Sequence, residues 1–327
     1  MVHRSGQSRM TRRKFLGGIA AGVAASWAGP WGRALASAEE KPRKAFPEGR
    51  FVDVHTHIGR TWNHTEELTT SKLLEWMDSS GISQAFVLPL ASPESSSFLL
   101  TTEFILAETK PHRDRLIPFC SIDPRTSYTG GARALTDMLR AYVERGARGF
   151  GEHKPGVRID DPRSMVLYEA CGELGLPVLF HLDGERNMDE PGLPGLERVL
   201  KALPKTRFIG HGPGWWASIS GDAKAADFAT YPTGRIAPGG AIDRLMEAHE
   251  NIFADLSAGS GAGALKRDLE FARAFIGRRA DRLLFGTDYL SPGQEVPQLD
   301  LLGGLGLPED VEAKVFRDNA RRLVGLA

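Results

Sequence analysis

Short apolar runs recur along the chain, and each one stops at a polar residue or a turn signal. Eight of them read as strands: Phe51 to His55, Ile82 to Leu88, Leu116 to Ser121, Ala147 to His153, Pro177 to His181, Arg207 to His211, Asn251 to Leu256 and Arg282 to Thr287. Segments with helical spacing fill the intervals, among them Leu68 to Ser80, Ser97 to Lys110, Gly131 to Arg145, Ser164 to Leu174 and Leu265 to Ile276. A last one follows Pro308. Strand then helix, repeated to the end, is the pattern of a (β/α)8 TIM barrel, an α/β fold. The main rival is an open doubly wound sheet, but no Gly-x-Gly-x-x-Gly turn follows the first strand. Two long connections, 56–67 and 212–240, break the rhythm and carry Trp62, His64, Trp215, Trp216, Phe228 and Tyr231. In a barrel both would lie on the face where the strands end, which is the face that carries chemistry.

Composition narrows the class. The 327 residues are 41% hydrophobic and 25% charged, ordinary for a globular protein, which excludes a disordered or collagen-like chain. The net charge of zero hides an asymmetry, because Arg4, Arg9, Arg12, Arg13, Lys14 and Arg33 precede the first acidic residue, Glu39. The remainder carries 35 basic against 41 acidic residues, a balance that argues against nucleic acid as a partner. Cys120 and Cys171 are the two cysteines. They form no Cys-x-x-Cys pair, so a structural zinc ribbon is excluded; two buried thiols are the simple reading, and one disulfide is the other in an oxidising compartment.

The basic start has the order of a targeting segment. Thr11-Arg12-Arg13-Lys14-Phe15-Leu16 resembles the bacterial twin-arginine export motif, a weakly apolar run extends from Phe15 to Gly29, and Ala36-Ser37-Ala38 offers a small-residue cleavage site. The expected organisation is a signal peptide over 1–38, a linker over 39–49 and the barrel over 50–327. The resemblance implies export in a folded state to the periplasm or beyond, with the twin-arginine translocase as a partner. The apolar run falls short of the roughly 20 residues a spanning helix needs, so no stable membrane anchor is expected.

Candidate chemistry collects at strand ends. His55-Thr56-His57 ends the first strand, and a period of two puts both imidazoles on the side of Phe51 and Asp53, away from Val52 and Val54. His181 ends Leu176-Pro177-Val178-Leu179-Phe180, His211 ends Arg207-Phe208-Ile209-Gly210, and Asp288 follows Leu283-Leu284-Phe285-Gly286-Thr287. In a parallel barrel these ends converge, so four imidazoles and a carboxylate from strands one, five, six and eight would meet at the mouth. Hydrogen-bonded core histidines would explain His181 or His211 singly, but not the whole set.

Those residues carry a resemblance. Val52-Asp53-Val54-His55-Thr56-His57, Leu176 to His181, Phe208-Ile209-Gly210-His211-Gly212-Pro213-Gly214 and Leu284-Phe285-Gly286-Thr287-Asp288-Tyr289 resemble, in the right order, the amidohydrolase superfamily. The match is to its amidohydrolase-related branch, which includes aminocarboxymuconate semialdehyde decarboxylase, and covers most of residues 50–323. The resemblance implies that His55, His57 and His181 bind a divalent metal with Asp288, while His211 binds a second metal or polarises the substrate. Neutral imidazoles with a carboxylate suit Zn2+, the expected ion at one or two per chain, and a zinc-held water falls from a pKa of 15.7 to about 7. Asp288 would then take the water's proton as general base and return it to the leaving group.

The fourth strand leaves two readings open. Glu152 and Lys154 share one face and His153 takes the other. Gly151-Glu152 resembles the related families in which a carboxylate bridges two metals, with Lys154 then free to contact an anionic substrate; the plain alternative is a surface salt bridge. Trp215 and Trp216 either wall the substrate or pack their loop on the rim. Asp183, Glu185 and Arg186, just after His181, either line the pocket or are solvated loop charges, and the second is the plainer reading.

The whole points to a metal-dependent hydrolase cleaving an amide, ester or lactone bond of a small molecule. A metal-dependent non-oxidative decarboxylase is the alternative, and an inactive barrel serving as a binding protein is the third reading. For export, N-terminal sequencing of the secreted protein should return a start at Glu39, and an intact Met1 or Val2 start in the periplasmic fraction would refute it.

Overall fold

The computed structural model describes residues 49–62, 66–126 and 131–326. The export segment, its cleavage site, nearly all of the linker and His64 lie outside the described residues. The strands are β1 (Phe51–Thr56), β2 (Ile82–Val87), β3 (Leu116–Pro118), β4 (Phe150–His153), β5 (Val178–His181), β6 (Phe208–His211), β7 (Ile252–Asp255) and β8 (Leu283–Leu284). All eight segments expected from the apolar runs are therefore present. Helices α1 (Thr70–Ser80), α2 (Thr102–Thr109), α3 (Gly131–Glu144), α4 (Pro162–Glu173) and α5 (Pro194–Ala202) separate the first six strands. The second half carries α6 (Pro213–Ala217), α7 (Ala241–Ala248), α8 (Ala258–Lys266), α9 (Leu269–Arg279) and α10 (Pro297–Gly303). The chain ends in α11 (Glu309–Ala313) and α12 (Asn319–Leu323), joined by a π turn.

Side chains that compete for backbone groups set the helix boundaries. Thr69 and Thr101 cap α1 and α2 by accepting from Lys72 N and Phe104 N, so both helices begin later than their apolar spacing predicts. The helix expected over Leu265 to Ile276 is two helices, because Asp268 accepts from Phe271 N and starts α9 afresh.

Every strand pair is parallel, in the orders β1-β2-β3 and β4-β5-β6-β7-β8. Two bridges join the sheets into a ring: Cys120 pairs with Phe150, and Thr56 with Tyr289. Backbone bonds from Cys120 N to Gly149 O (2.9 Å) and from Val54 N to Phe285 O (3.0 Å) seal the two seams. Closure removes the doubly wound alternative. Val52, Val54, Phe86, Leu88, Ile117, Phe119, Leu179, Ile209 and Leu284 form one apolar cluster with Ala320, Leu323 and Val324. Members drawn from β1, β2, β5, β6 and β8 can meet only inside the ring, and α12 stoppers one end. Phe51, Val178, Phe180 and Phe208 belong instead to the larger cluster beneath the helices.

That partition corrects the expected phase of β1. Val52 and Val54 face the barrel interior while Phe51 faces the helices, yet His55 and His57 also reach the centre. Strict alternation fails because the register of β1 against β2 shifts between Asp53 and Thr56, and an irregularity of this kind re-aims the residues after it. Asp53 occupies the irregularity. Its Oδ1 accepts from His55 N and Thr287 N, both at 3.0 Å, and its Oδ2 accepts from the Thr287 hydroxyl at 2.6 Å. β8 ends at Leu284, and the next residue, Phe285, gives its N–H to Val315 O at 2.9 Å.

Cys120 and Cys171 are buried free thiols, not a disulfide. Among the described residues, no helix is long and apolar enough to cross a membrane.

His153 sits on the helix side of β4, its ring edge-on to Tyr168 and its Nε2 3.3 Å from the Ser164 hydroxyl. Its Nδ1 has no hydrogen-bond partner among the described residues. Burial pulls its pKa from 6.5 down to about 3, so the unfolded chain takes up this proton first and the fold loses stability as the pH falls below 6.5. His153→Gln keeps a partner for Ser164 and cannot titrate. Urea unfolding at about pH 7 and about pH 5 should show wild type losing about 2 kcal/mol more than the variant. Equal losses would mean that His153 is charged in the folded state.

Candidate metal centre

At the open end of the ring, the strand ends bring six titratable side chains together. His55 Nε2 is 3.2 Å from His57 Nε2, and Asp288 Oδ1 is 3.5 and 3.6 Å from these two nitrogens. Two donors held tetrahedrally on one ion at about 2.1 Å lie about 3.4 Å apart, so this triangle has the dimensions that a divalent metal requires. Glu152 Oε2 extends it, at 3.8 Å from His55 Nε2 and 3.5 Å from His57 Nε2. The other oxygen of the same carboxylate, Oε1, faces away from the triangle. It lies 2.9 Å from His181 Nδ1 and 3.7 Å from His211 Nε2. Two overlapping donor groups result, His55-His57-Asp288 and His55-Glu152-His211. His181 belongs to neither triangle and stands beside Glu152 on the His211 side.

Each ligand candidate is held from behind. His57 Nδ1 donates to Leu88 O at 2.8 Å. Asp255, at the end of β7, accepts from His55 Nδ1 at 2.7 Å, and the same oxygen lies 3.0 Å from His211 Nδ1, which is also 3.0 Å from the Ser257 hydroxyl. Asp183 receives His181 Nε2 at 3.0 Å, the Arg186 guanidinium at 2.6 Å and two backbone N–H groups of the following turn. Such partners behind ligating imidazoles fix their orientation. Asp288 is the most exposed of the group, its side chain 21% accessible against 1% for Glu152. It sits at φ +57°, a left-handed conformation that costs a non-glycine residue of order 1 kcal/mol. Two bonds hold it there, Asp288 N to His55 O at 2.9 Å and Gln294 Nε2 to Asp288 O at 2.8 Å.

The electrostatics follow from burial and proximity. Burial drives His57 from 6.5 down to about 4. Burial also opposes a proton on His55, but Asp288, Asp255 and Glu152 outweigh it and raise this imidazole well above 6.5. Glu152 is held well below the carboxylate range because Lys154 and the imidazoles overcome its desolvation. Asp53, buried with hydrogen bonds but no cation, rises to about 7.

Comparison with known proteins places the chain. One family model, described as Amidohydrolase, matches residues 26–326. The chain belongs to the amidohydrolase family. No curated protein matches it. Among solved structures it is similar to an uncharacterized TIM-barrel protein from Bordetella bronchiseptica, at 17% identity and a TM-score of 0.59 over 84% of this chain and 98% of that one. A putative 2-pyrone-4,6-dicarboxylic acid hydrolase from Pseudomonas putida gives 17% identity and a TM-score of 0.59 over 84% and 97%. A dihydroxybenzoic acid decarboxylase from a Polaromonas species, solved with bound manganese and the inhibitor 2-nitroresorcinol, gives 15% and 0.53 over 86% and 97%. At these identities the likeness is one of fold.

Within this amidohydrolase barrel the structure redistributes several expected roles. Glu152 and Lys154 do pair, at 3.0 Å, but at 1% and 4% exposure they are not a surface salt bridge. Lys154 is tied to that carboxylate and stacks 4.7 Å over the Trp62 ring. Trp215 and Trp216 do not wall a substrate: they are 0% and 1% exposed. Trp215 lies edge-on to Phe180 and fills the space left by Gly210, where a Cβ would approach its ring to 2.5 Å, and Trp216 Nε1 donates to Asp255 O at 3.0 Å. These rings pack the loop onto the helix side of β6. Asp183 is a buried partner of His181 rather than a solvated loop charge. Asp255, Ser257 and Asp53 were not singled out in the sequence, although Asp255 obeys the rule that found His181: it is the polar residue where the apolar run Ile252-Phe253-Ala254 stops.

Proposed function

We propose that this chain is a metal-dependent hydrolase that cleaves an amide, ester or lactone bond of a small molecule at a two-ion centre. The observation that carries the proposal is the Glu152 carboxylate, which turns one oxygen to His55 and His57 and the other to His181 and His211. His55, His57, Asp288 and Glu152 Oε2 would hold one ion; Glu152 Oε1, His181 and His211 would hold the other. Imidazole and carboxylate donors suit zinc, the ion we favour. Bound there, divalent ions would polarise the scissile carbonyl and acidify water to a pKa of about 7.

The protein's own groups do the rest. Asp288, partly open to solvent while the other carboxylates are buried, is the group able to take a proton from water during attack and give it to the leaving atom. Lys154 keeps the Glu152 carboxylate ionised and in place, and its remaining N–H donors are available to an anionic group of the substrate. His211 lies near enough to Glu152 to share the second ion or to polarise the substrate in its stead. The protein would be exported before acting, as its first residues suggest.

Asp288→Asn should retain the fold and much of the metal yet lose roughly 10²- to 10⁴-fold in turnover, the usual contribution of a general base. Near-normal turnover would move the base to another group. The reaction class is read in oxygen-18 water, once an ester and lactone panel yields a substrate. Label in the product carboxylate or alcohol is the expected result. A decarboxylase, the reading that the manganese-containing fold relative keeps in view, would release carbon dioxide and leave a proton, not solvent oxygen, in the organic product.

A further inference from the structure

We propose that Asp255 is a positioning residue shared by both ions, a single carboxylate oxygen that fixes one imidazole of each ligand group; the proposal rests on the two-ion reading above. Asp255 Oδ2 lies 2.7 Å from His55 Nδ1 and 3.0 Å from His211 Nδ1. His55 directs its Nδ1–H to this atom, and His211 Nδ1 lies 3.0 Å both from this atom and from the Ser257 hydroxyl bonded to it, which leaves Nε2 of each neutral ring as the lone-pair donor. Those Nε2 atoms are the ones that face the donor groups: His55 toward His57 at 3.2 Å, His211 toward Glu152 at 3.7 Å. Carboxylate behind imidazole is a known way to set tautomer and basicity at a metal. Here one oxygen does so for two rings from β1 and β6, whose centroids are 4.3 Å apart.

The surroundings hold that oxygen in place. The Ser257 hydroxyl donates to Oδ2 at 2.7 Å, and Ser257 N donates to Oδ1 at 2.9 Å. Position 286 on the β8 side is glycine, and a Cβ there would come within 2.2 Å of Oδ1, so no other residue fits while the carboxylate keeps its place. Asp255 is wholly buried, which excludes a role in meeting substrate directly.

Chemistry gives a sharp test. In Asp255→Asn, an amide oxygen at the Oδ2 position would aim its NH2 at Ser257 N–H, donor against donor. The reverse orientation aims the NH2 at both imidazoles and forces the proton onto Nε2, which disables each as a ligand through that atom. Zinc binding is measured on the chelator-stripped full-length protein by competition with a chromogenic chelator, with thermal unfolding of the metal-free form as a check on folding. Asp255→Asn should weaken both ions by roughly 10- to 100-fold. Wild-type affinity for either ion would overturn the proposal. If that variant does not fold, Ser257→Ala reads the same linkage more gently, since Ser257 Oγ is 3.0 Å from His211 Nδ1 and 3.4 Å from His55 Nδ1. It should weaken both ions several-fold, and an effect on one ion alone would again overturn the shared role. Wild type that takes up fewer than two zinc ions would instead overturn the two-ion reading, and the shared role with it.

Discussion

A carboxylate deprived of water must be met by positive charge or donated hydrogen bonds, and Glu152 is the place where this barrel meets that demand. Removing such an ion from solvent costs several kcal/mol when nothing answers it. Lys154 answers from just past the end of β4, His181 from β5, and His55 and His211 from β1 and β6. No two neighbouring strands could supply that set. The seams at Cys120 with Phe150 and at Thr56 with Tyr289 are therefore what make the centre tolerable as well as what close the sheet. Gly151 belongs to the same requirement. It sits at φ +132°, and a Cβ there would lie 2.3 Å from Leu179 O, so only glycine lets β4 come close enough to β5 to present Glu152.

The fold was legible because its signals are local and repeated. Each strand is a short apolar run with a polar end, and the run itself gives the position of His181 or His211 at the mouth. Boundaries were less legible. Thr101 and Asp268 decide where α2 and α9 begin through single hydrogen bonds, which periodicity does not register. The first strand shows the limit most clearly. Alternation would send His55 and His57 to the side of Phe51, but Asp53 bonds across to Thr287 and breaks the register, so the interior receives Val52, Val54 and then both imidazoles. That outcome depends on a contact between residues 234 positions apart, which no local pattern contains.

At the site, the residues that converge were readable and the residues behind them were not. Histidine and aspartate at strand ends are conspicuous because an apolar run frames them. Asp255 is framed equally well, but its meaning comes from two imidazoles on other strands. Trp215 and Trp216 show the opposite ambiguity: aromatic residues near a histidine suit a binding wall or a packed loop alike, and what decides is Gly210, which leaves a hollow on the outer side of β6 that Trp215 fills. A glycine in a strand is as much a sign of a large neighbour as of a turn.

Charge accounting across the centre shows why cations belong there. Asp183 has Arg186 beside it and Glu152 has Lys154. Asp255 and Asp288 face imidazoles, and among the described residues neither has a lysine or arginine as an ion-pair partner. A neutral imidazole donates a hydrogen bond but brings no charge, so two carboxylates remain uncompensated unless protons or metal ions supply the difference. One divalent ion would restore neutrality. A second would make the mouth positive, the sign that favours both an anionic substrate and the negative charge that develops on oxygen when a carbonyl is attacked. Decarboxylation makes no such demand, since one ion suffices to anchor the carboxylate of a substrate that loses it. On the proposed two-ion reading, the number of ions around the Glu152 carboxylate is thus tied, through the charge of the whole cluster, to the kind of bond broken.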